Sequence, residues 1–197
     1  MYGMMQQTSG EEIWRQFRDG SEEALAILYK SHYKALFAYG RKFCADRNFV
    51  EDCVHDLFLE LSHNRQRLGD TPSVRHYLLK SLRRKIIHGL KKQNTAFLPE
   101  EYTFELIPSH EQALIGEENF VRNRERILQA VAQLSQRQQE ALYLKFYNGL
   151  DYEQIATVMS LNYQSARNLI HRAMTTLRGM IRDGAVLACL LTALLSQ

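Results

Sequence analysis

The chain lacks most of what a catalytic domain displays. Only three prolines interrupt its 197 residues, and strand-type alternation of polar and apolar residues is absent. The three cysteines, Cys44, Cys53 and Cys189, have no C-x-x-C spacing, which argues against a disulfide framework or a zinc ribbon and for a reducing compartment. Seven histidines are scattered, with no H-E-x-x-H pair and none at zinc-like spacing from cysteine. The phosphate-cradling patterns G-x-x-x-x-G-K-[ST] and G-x-G-x-x-G are missing. The first residues, MYGMMQQTSGEE, have no basic segment followed by an apolar run, so no signal peptide is expected. The apolar tail counts 12 residues over 185–196, whereas about 20 are needed to span a bilayer. Together these absences lead us to expect an all-α cytoplasmic protein with no enzyme activity, no cofactor, no metal site and no membrane insertion.

What is present is charge sorted by position. Residues 1–64 carry seven Lys/Arg and ten Asp/Glu, net −3. Residues 65–92 carry nine Lys/Arg against Asp70 alone, net +8. Residues 96–120 carry six Glu and no Lys or Arg. Such segregation is expected of modules with different partners.

Helical periodicity predicts a short helix over 11–19, with Ile13, Trp14 and Phe17 on one side. A long helix from Ser21 to about Phe43 follows, its stripe running Leu25, Leu28, Tyr29, Tyr33, Leu36, Phe37. A third helix spans 49–62, with Phe49, Cys53, Val54, Leu57, Phe58 and Leu61 inward. Asp52, Asp56 and Glu60 repeat at i, i+4, i+8 on its outer face, where like charges repel. Such a face is either solvated or compensated by a partner. Residues 73–92 read as an amphipathic helix, with Val74, Tyr77, Leu78, Leu82 and Ile86 inward. Its other face is cationic and suits a phosphate backbone, with His76 and Tyr77 placed to stack on an unpaired base. The rival readings are a solvated basic face or a dock for the acidic segment.

Residues 93–120, holding Pro99 and Pro108, read as an acidic linker with one short helix near 109–114. A four-helix unit is expected over 121–182. Within it, 151–178 forms two helices with a tight break: Asp151 and Gln154 suit a capping box, Ser160, Leu161 and Asn162 make the break, and Ala166, Leu169, Ile170, Ala173, Met174 and Leu177 form one face. Gln164, Ser165, Arg167, Asn168, His171 and Arg172 occupy the other. This is a helix-turn-helix suited to a major groove, or an ordinary αα-hairpin with a polar surface. The tail, 183–197, reads as a buried terminal helix or a docking segment.

The order of these modules resembles the extracytoplasmic-function (ECF) sigma factors of the bacterial sigma-70 family. VEDCVHDLFLEL at 50–61 is similar to the family's helix that grips the β′ clamp helices of RNA polymerase. On that resemblance Asp52, His55, Asp56 and Phe58 bind core polymerase, with His55 where glutamine is usual. SVRHYLLKSLRRKII at 73–87 resembles the helix that reads and melts the −10 element, which implies DNA contact by Arg75, His76, Tyr77, Lys80, Arg83 and Arg84. Tyr77 stands at the usual tryptophan place, and Arg84 replaces a frequent asparagine. In 134–178 the pieces L-x-x-R-Q-x-E, G-L-x-Y-x-x-I-A and H-R-A-x-x-x-L-R resemble the −35-reading domain, which implies DNA contact by Gln164, Ser165, Arg167, Asn168, His171 and Arg172. NYQSARNLIHRA looks like a variant seen in Bacteroidota.

The resemblance thus implies a two-domain initiation factor. Residues 1–92 form its polymerase-binding and −10 domain, 93–120 its linker, 121–182 its −35 domain and 183–197 its tail. Its partners would be core RNA polymerase (β′ clamp helices and β subunit), promoter DNA and, as a further candidate, an anti-sigma factor. The main rival is a helix-turn-helix regulator acting on holoenzyme, with 1–92 as a sensor. A second rival is a protein-binding adaptor, which the +8 segment argues against.

Overall fold

A computed structural model describes residues 10–93, 102–106 and 129–180. The expected short helix near 109–114, the start of the helix at 121 and the apolar tail fall outside the described residues. All regular elements among the described residues are helical, as periodicity predicts. The chain divides into two compact units, Met1–Thr95 and Ala96–Gln197.

The first unit contains α1 (Gly10–Arg18), α2 (Glu22–Gly40), α3 (Arg47–Asn64) and α4 (Val74–Gln93). Each later helix starts where a short polar side chain satisfies an orphan backbone N–H. Ser21 Oγ accepts from the Ala24 N–H at 3.1 Å. Asp46 Oδ1 accepts from Phe49 N–H at 3.1 Å, and Ser73 Oγ from His76 N–H at 3.3 Å. Helix α2 ends at Gly40, three residues before the expected end, and residues 41–43 form a turn. The turn lets Phe43 fold inward, edge-on to Tyr39 at 5.1 Å.

Helix α4 is central to this unit. Val74, Leu78, Leu79, Leu82 and Ile86 are buried, and the helix packs against α1, α2 and α3. Burying a side chain of this size is worth about 1.5–3 kcal/mol each, enough to hold a cationic helix in place against its own repulsion. On α2 the buried set is Ala24, Leu28, Leu36, Tyr39 and Gly40. Leu25, Tyr29, Tyr33 and Phe37 of the expected stripe form a half-buried row instead, with Tyr33 stacked on Phe37 at 5.8 Å.

The second unit contains a helical turn at 129–132, α5 (Gln136–Leu142), α6 (Tyr152–Met159) and α7 (Tyr163–Met180). Helix α5 begins in a capping box between Ser135 and Gln138 and continues as a π-helical turn, Tyr143–Tyr147. Gly149, at φ +67°, stops the chain; left-handed backbone of this kind favours glycine. Asp151 and Gln154 form the expected capping box on α6.

Residues 102–106 lie in the span read as linker, yet they pack into this second unit. Tyr102, Phe104 and Leu106 are buried, while Thr103 and Glu105 are exposed. Three polar side chains of α5 hold the extended segment. Gln136 Oε1 accepts from Phe104 N–H at 2.6 Å, Gln139 Oε1 accepts from Leu106 N–H at 3.1 Å, and the Glu140 carboxylate accepts from the Tyr102 hydroxyl. Gln139 Nε2 also donates to Leu134 O at 3.1 Å. Gln139 and Glu140 belong to the L-x-x-R-Q-x-E piece. Both are buried, and buried polar groups are stable only when hydrogen-bonded.

Two stability predictions follow from this packing. A Cβ on Gly40 would lie 2.6 Å from Val50 Cγ1 and 3.2 Å from Ile86 Cδ1, so Gly40→Ala should destabilise the first unit by about 1–3 kcal/mol through overpacking, read as a lower denaturant midpoint. Tyr102→Phe removes one donor from buried Glu140 and should cost the second unit about 1–3 kcal/mol. Calorimetry of the full chain should show the second unit melting earlier, with exposed Thr103→Ala as an unchanged control.

Candidate nucleic-acid and protein interfaces

The helix-turn-helix is formed by α6 and α7. Helix α6 ends with Ser160 at φ +55°, and the Leu161 N–H reaches back to Ala156 O at 2.7 Å. Asn162 Oδ1 then accepts from Ser165 N–H at 2.7 Å and opens α7. Ala166, Ile170, Ala173 and Leu177 are buried. The two small alanines on that face allow close helix packing. The opposite face carries all six residues expected to contact −35 DNA. Gln164, Arg167, Asn168, His171 and Arg172 are exposed, and Ser165 is half-exposed. Gln164 Nε2 donates to Asn168 Oδ1 at 3.1 Å, which holds two amides side by side. Tyr163 extends this face at its start, 47 % exposed and edge-on to Tyr152 at 6.1 Å. It was not among the expected contacts, although its place beside Gln164 is a usable signal.

The cationic helix is divided by its packing. Of its six candidate DNA residues, Lys80 and Arg84 are exposed, and Arg75, His76 and Tyr77 are half-buried. Arg83 is only 8 % exposed. Burial, and next the Arg75 charge, lower the pKa of His32 on α2. Tyr77 and Arg84 line a groove of about 600 Å³ between α3 and α4, together with Asn64, Arg67, Leu68 and His88. Arg67 and Asn64 come from the end of α3 and the turn after it, outside the helix singled out by sequence. Within the groove Lys85 Nζ pairs with Glu60 Oε1 at 2.5 Å. Glu60 stays exposed while it reaches toward α4, so all three expected outer carboxylates lie at the surface, and Asp52 and Asp56 are the two outside this ion pair.

The acidic face of α3 retains those two exposed carboxylates. Asp52, His55, Asp56 and Leu59 fall at i, i+3, i+4 and i+7, and all four are exposed; they share one face. Leu59 is 57 % exposed and is not among the residues that the resemblance marks. It lines a shallow groove of about 540 Å³ with Leu25, Tyr29, His55 and Phe58. Phe58 is itself buried and meets Tyr29 edge-on at 5.0 Å, so it forms the groove floor. The Tyr29 hydroxyl and His55 Nε2 are 2.9 Å apart. The face is therefore apolar at its centre and acidic at one margin.

Burial pushes the Cys53 thiol up to about 11, so it stays protonated at neutral pH. No cluster of three or more metal-ligating side chains occurs among the described residues, and no described helix is long and apolar enough to cross a membrane.

The model for sigma-70 region 2 matches residues 28–95, and that for sigma-70 region 4 matches 124–177. The two matches together span well over half of the chain. The ECF RNA polymerase sigma factor SigL of Mycobacterium tuberculosis is 26% identical over 160 residues, covering 81% of this chain and 89% of SigL. SigX of Bacillus subtilis, also an ECF sigma factor, is 22% identical over 161 residues, covering 80% of this chain and 83% of SigX. Among solved structures, CnrH bound to the cytosolic domain of CnrY superposes with a TM-score of 0.59 at 18% identity, covering 88% of this chain and 98% of CnrH. The sigma factor RpoE bound to the anti-sigma factor NepR, from Bartonella quintana, gives 0.56 at 18% identity, covering 85% and 99%. These likenesses at low identity show the fold, and the two region matches show the lineage. The chain belongs to the sigma-70 family, as an RNA polymerase sigma factor of the ECF type.

Proposed function

We propose that the two units divide promoter recognition between duplex and single-stranded DNA. Residues 1–92 bind core RNA polymerase and capture the −10 element as it melts. Residues 121–182 read the −35 element as intact duplex, and the acidic stretch 93–120 connects them. The observation that carries this reading is the contrast between two surfaces. Helix α7 offers a convex polar face, which fits a major groove. Helices α3 and α4 offer a concave cationic groove with Tyr77 and His88 in its lining, which fits a strand whose bases are exposed.

On α7 the amide and guanidinium groups of Gln164, Arg167, Asn168 and Arg172 supply base-edge contacts, with Ser165, His171 and Tyr163 beside them. In the first unit Tyr77 and Arg84 act from within the groove. Lys80 serves the phosphate backbone from outside it, and Arg75, His76 and Arg83 support the helix from its half-buried side. Polymerase docks on the face of Asp52, His55, Asp56 and Leu59, with Phe58 beneath. The exposed carboxylates steer a basic partner surface, and the apolar centre supplies the area buried on docking. The protein performs no chemistry of its own and acts in the cytoplasm with its polymerase. A protein antagonist is a further candidate partner, since the RpoE neighbour was captured with an anti-sigma factor.

The test is run-off transcription by purified core polymerase with and without the chain. Added chain should produce promoter-specific transcripts from core. Arg167→Ala should lower that product about 10- to 100-fold, the loss of one specific base contact, at unchanged core affinity. Asp52→Lys with Asp56→Lys should weaken core binding at least about tenfold and leave the fold intact. An Arg167→Ala protein that lost core binding, or a charge-reversed protein that kept it, would refute the division of labour.

A further inference from the structure

We propose that Trp14 is a positioning residue for the −10 groove, and that α1 acts as its brace. The inference rests on the reading of that groove as the site of the melted strand. Trp14 is the only tryptophan in the chain. It lies on α1, before the residues matched by the region 2 model, which begin at 28. It is 1 % exposed, so it touches no DNA itself.

Two contacts tie Trp14 to opposite walls of the groove. Its indole Nε1–H donates to Gly69 O at 3.1 Å, on the non-helical connector between α3 and α4. Arg67 and Leu68, immediately before Gly69, line one wall. Its ring lies 5.3 Å from the Tyr77 ring, and Tyr77 lines the other wall. Tyr77 thus has Trp14 behind it and the groove in front. Phe17 packs on Trp14 at 5.5 Å and fixes the indole from α1's own side. A second tie joins Arg18 of α1 to Asp70 of the connector. Asp70 is largely exposed, so that ion pair contributes little, and the buried indole carries the brace.

The connector needs such a tie. Residues 68–73 belong to no helix, and Gly69, Asp70 and Pro72 are exposed. Two hydrogen bonds between Thr71 and Ser73 shape its far end, and Leu68 N–H bonds to Arg65 O. Of the connector's two long-range ties, the indole N–H, drawn from 55 residues away, is the one made by a buried side chain. A groove that captures a strand must hold its walls at a set separation before the strand arrives, because ordering them on binding would cost affinity. Trp14 sets that separation from behind.

Trp14→Phe keeps an aromatic ring against Tyr77 and removes the N–H donor together with part of the buried indole volume. The assay is holoenzyme binding to a labelled single-stranded −10 oligonucleotide and to a scrambled one, with core affinity measured in parallel. Trp14→Phe should weaken binding to the −10 strand about fivefold, the worth of one net hydrogen bond. It should also reduce discrimination against the scrambled strand, and core affinity should not change. Tyr77→Ala serves as the control for the groove. If Tyr77→Ala weakens strand binding and Trp14→Phe does not, the brace is refuted. If Trp14→Phe lowers core affinity as much as strand affinity, Trp14 is a packing residue only, and the proposal fails. If neither variant affects strand binding, the assignment of the groove itself is wrong.

Discussion

A cationic helix cannot be offered to DNA unless its other side is buried firmly enough to resist its own charge. That constraint organises the first unit. The segment 65–92 carries net +8, and within it Val74, Leu78, Leu79, Leu82 and Ile86 anchor α4. The other helices are arranged around that anchorage. Gly40 lets α2 approach Val50 of α3 and Ile86 of α4 closely. Glu60 crosses from α3 to pair with Lys85, and α1 closes the far side through Trp14. The cations left facing outward are those the packing does not consume.

The second unit solves a different problem. Duplex recognition requires a rigid helix whose exposed face is held in register with its buried one. Capping at Asp151 and Asn162 fixes the starts of α6 and α7. Ala166 and Ala173 sit on the buried face of α7. Below them, α5 uses Gln136, Gln139 and Glu140 to seat Tyr102, Phe104 and Leu106. That arrangement brings polar side chains into the core to satisfy an extended backbone, which has no helical hydrogen bonds of its own.

Much of this was legible in the sequence, and the exceptions share a cause. The all-α fold followed from 3.6-residue periodicity, and the capping box at Asp151 from local residue types. The polar face of α7 could be read because a helix fixes which residues share a face. The alternation of Tyr102, Phe104 and Leu106 with Thr103 and Glu105 is a local sign of a half-buried extended segment, but local rules could not show that it packs into the second unit. Two prolines and six glutamates in the surrounding stretch read as linker, and its partners lie more than 30 residues away. The same limit hid the crossing of Glu60 to Lys85 and the burial of Arg83. Each depends on which helix stands opposite. Leu59 and Tyr163 are exposed beside the expected residues, and no motif or charge pattern in the sequence marks an apolar or aromatic side chain on a polar face.

The central claim is that one chain reads duplex with α7 and single strand with the α3–α4 groove. It can be tested by placing a photo-crosslinking residue at Tyr77 in one holoenzyme sample and at Tyr163 in another, then mapping the adducts on a promoter before and after melting. The Tyr163 probe should crosslink near −35 in both states. The Tyr77 probe should crosslink to one strand of the −10 element only after melting. Equal crosslinking of the Tyr77 probe to unmelted duplex, or adducts of both probes at the same element, would contradict the division of duplex and strand between the two units.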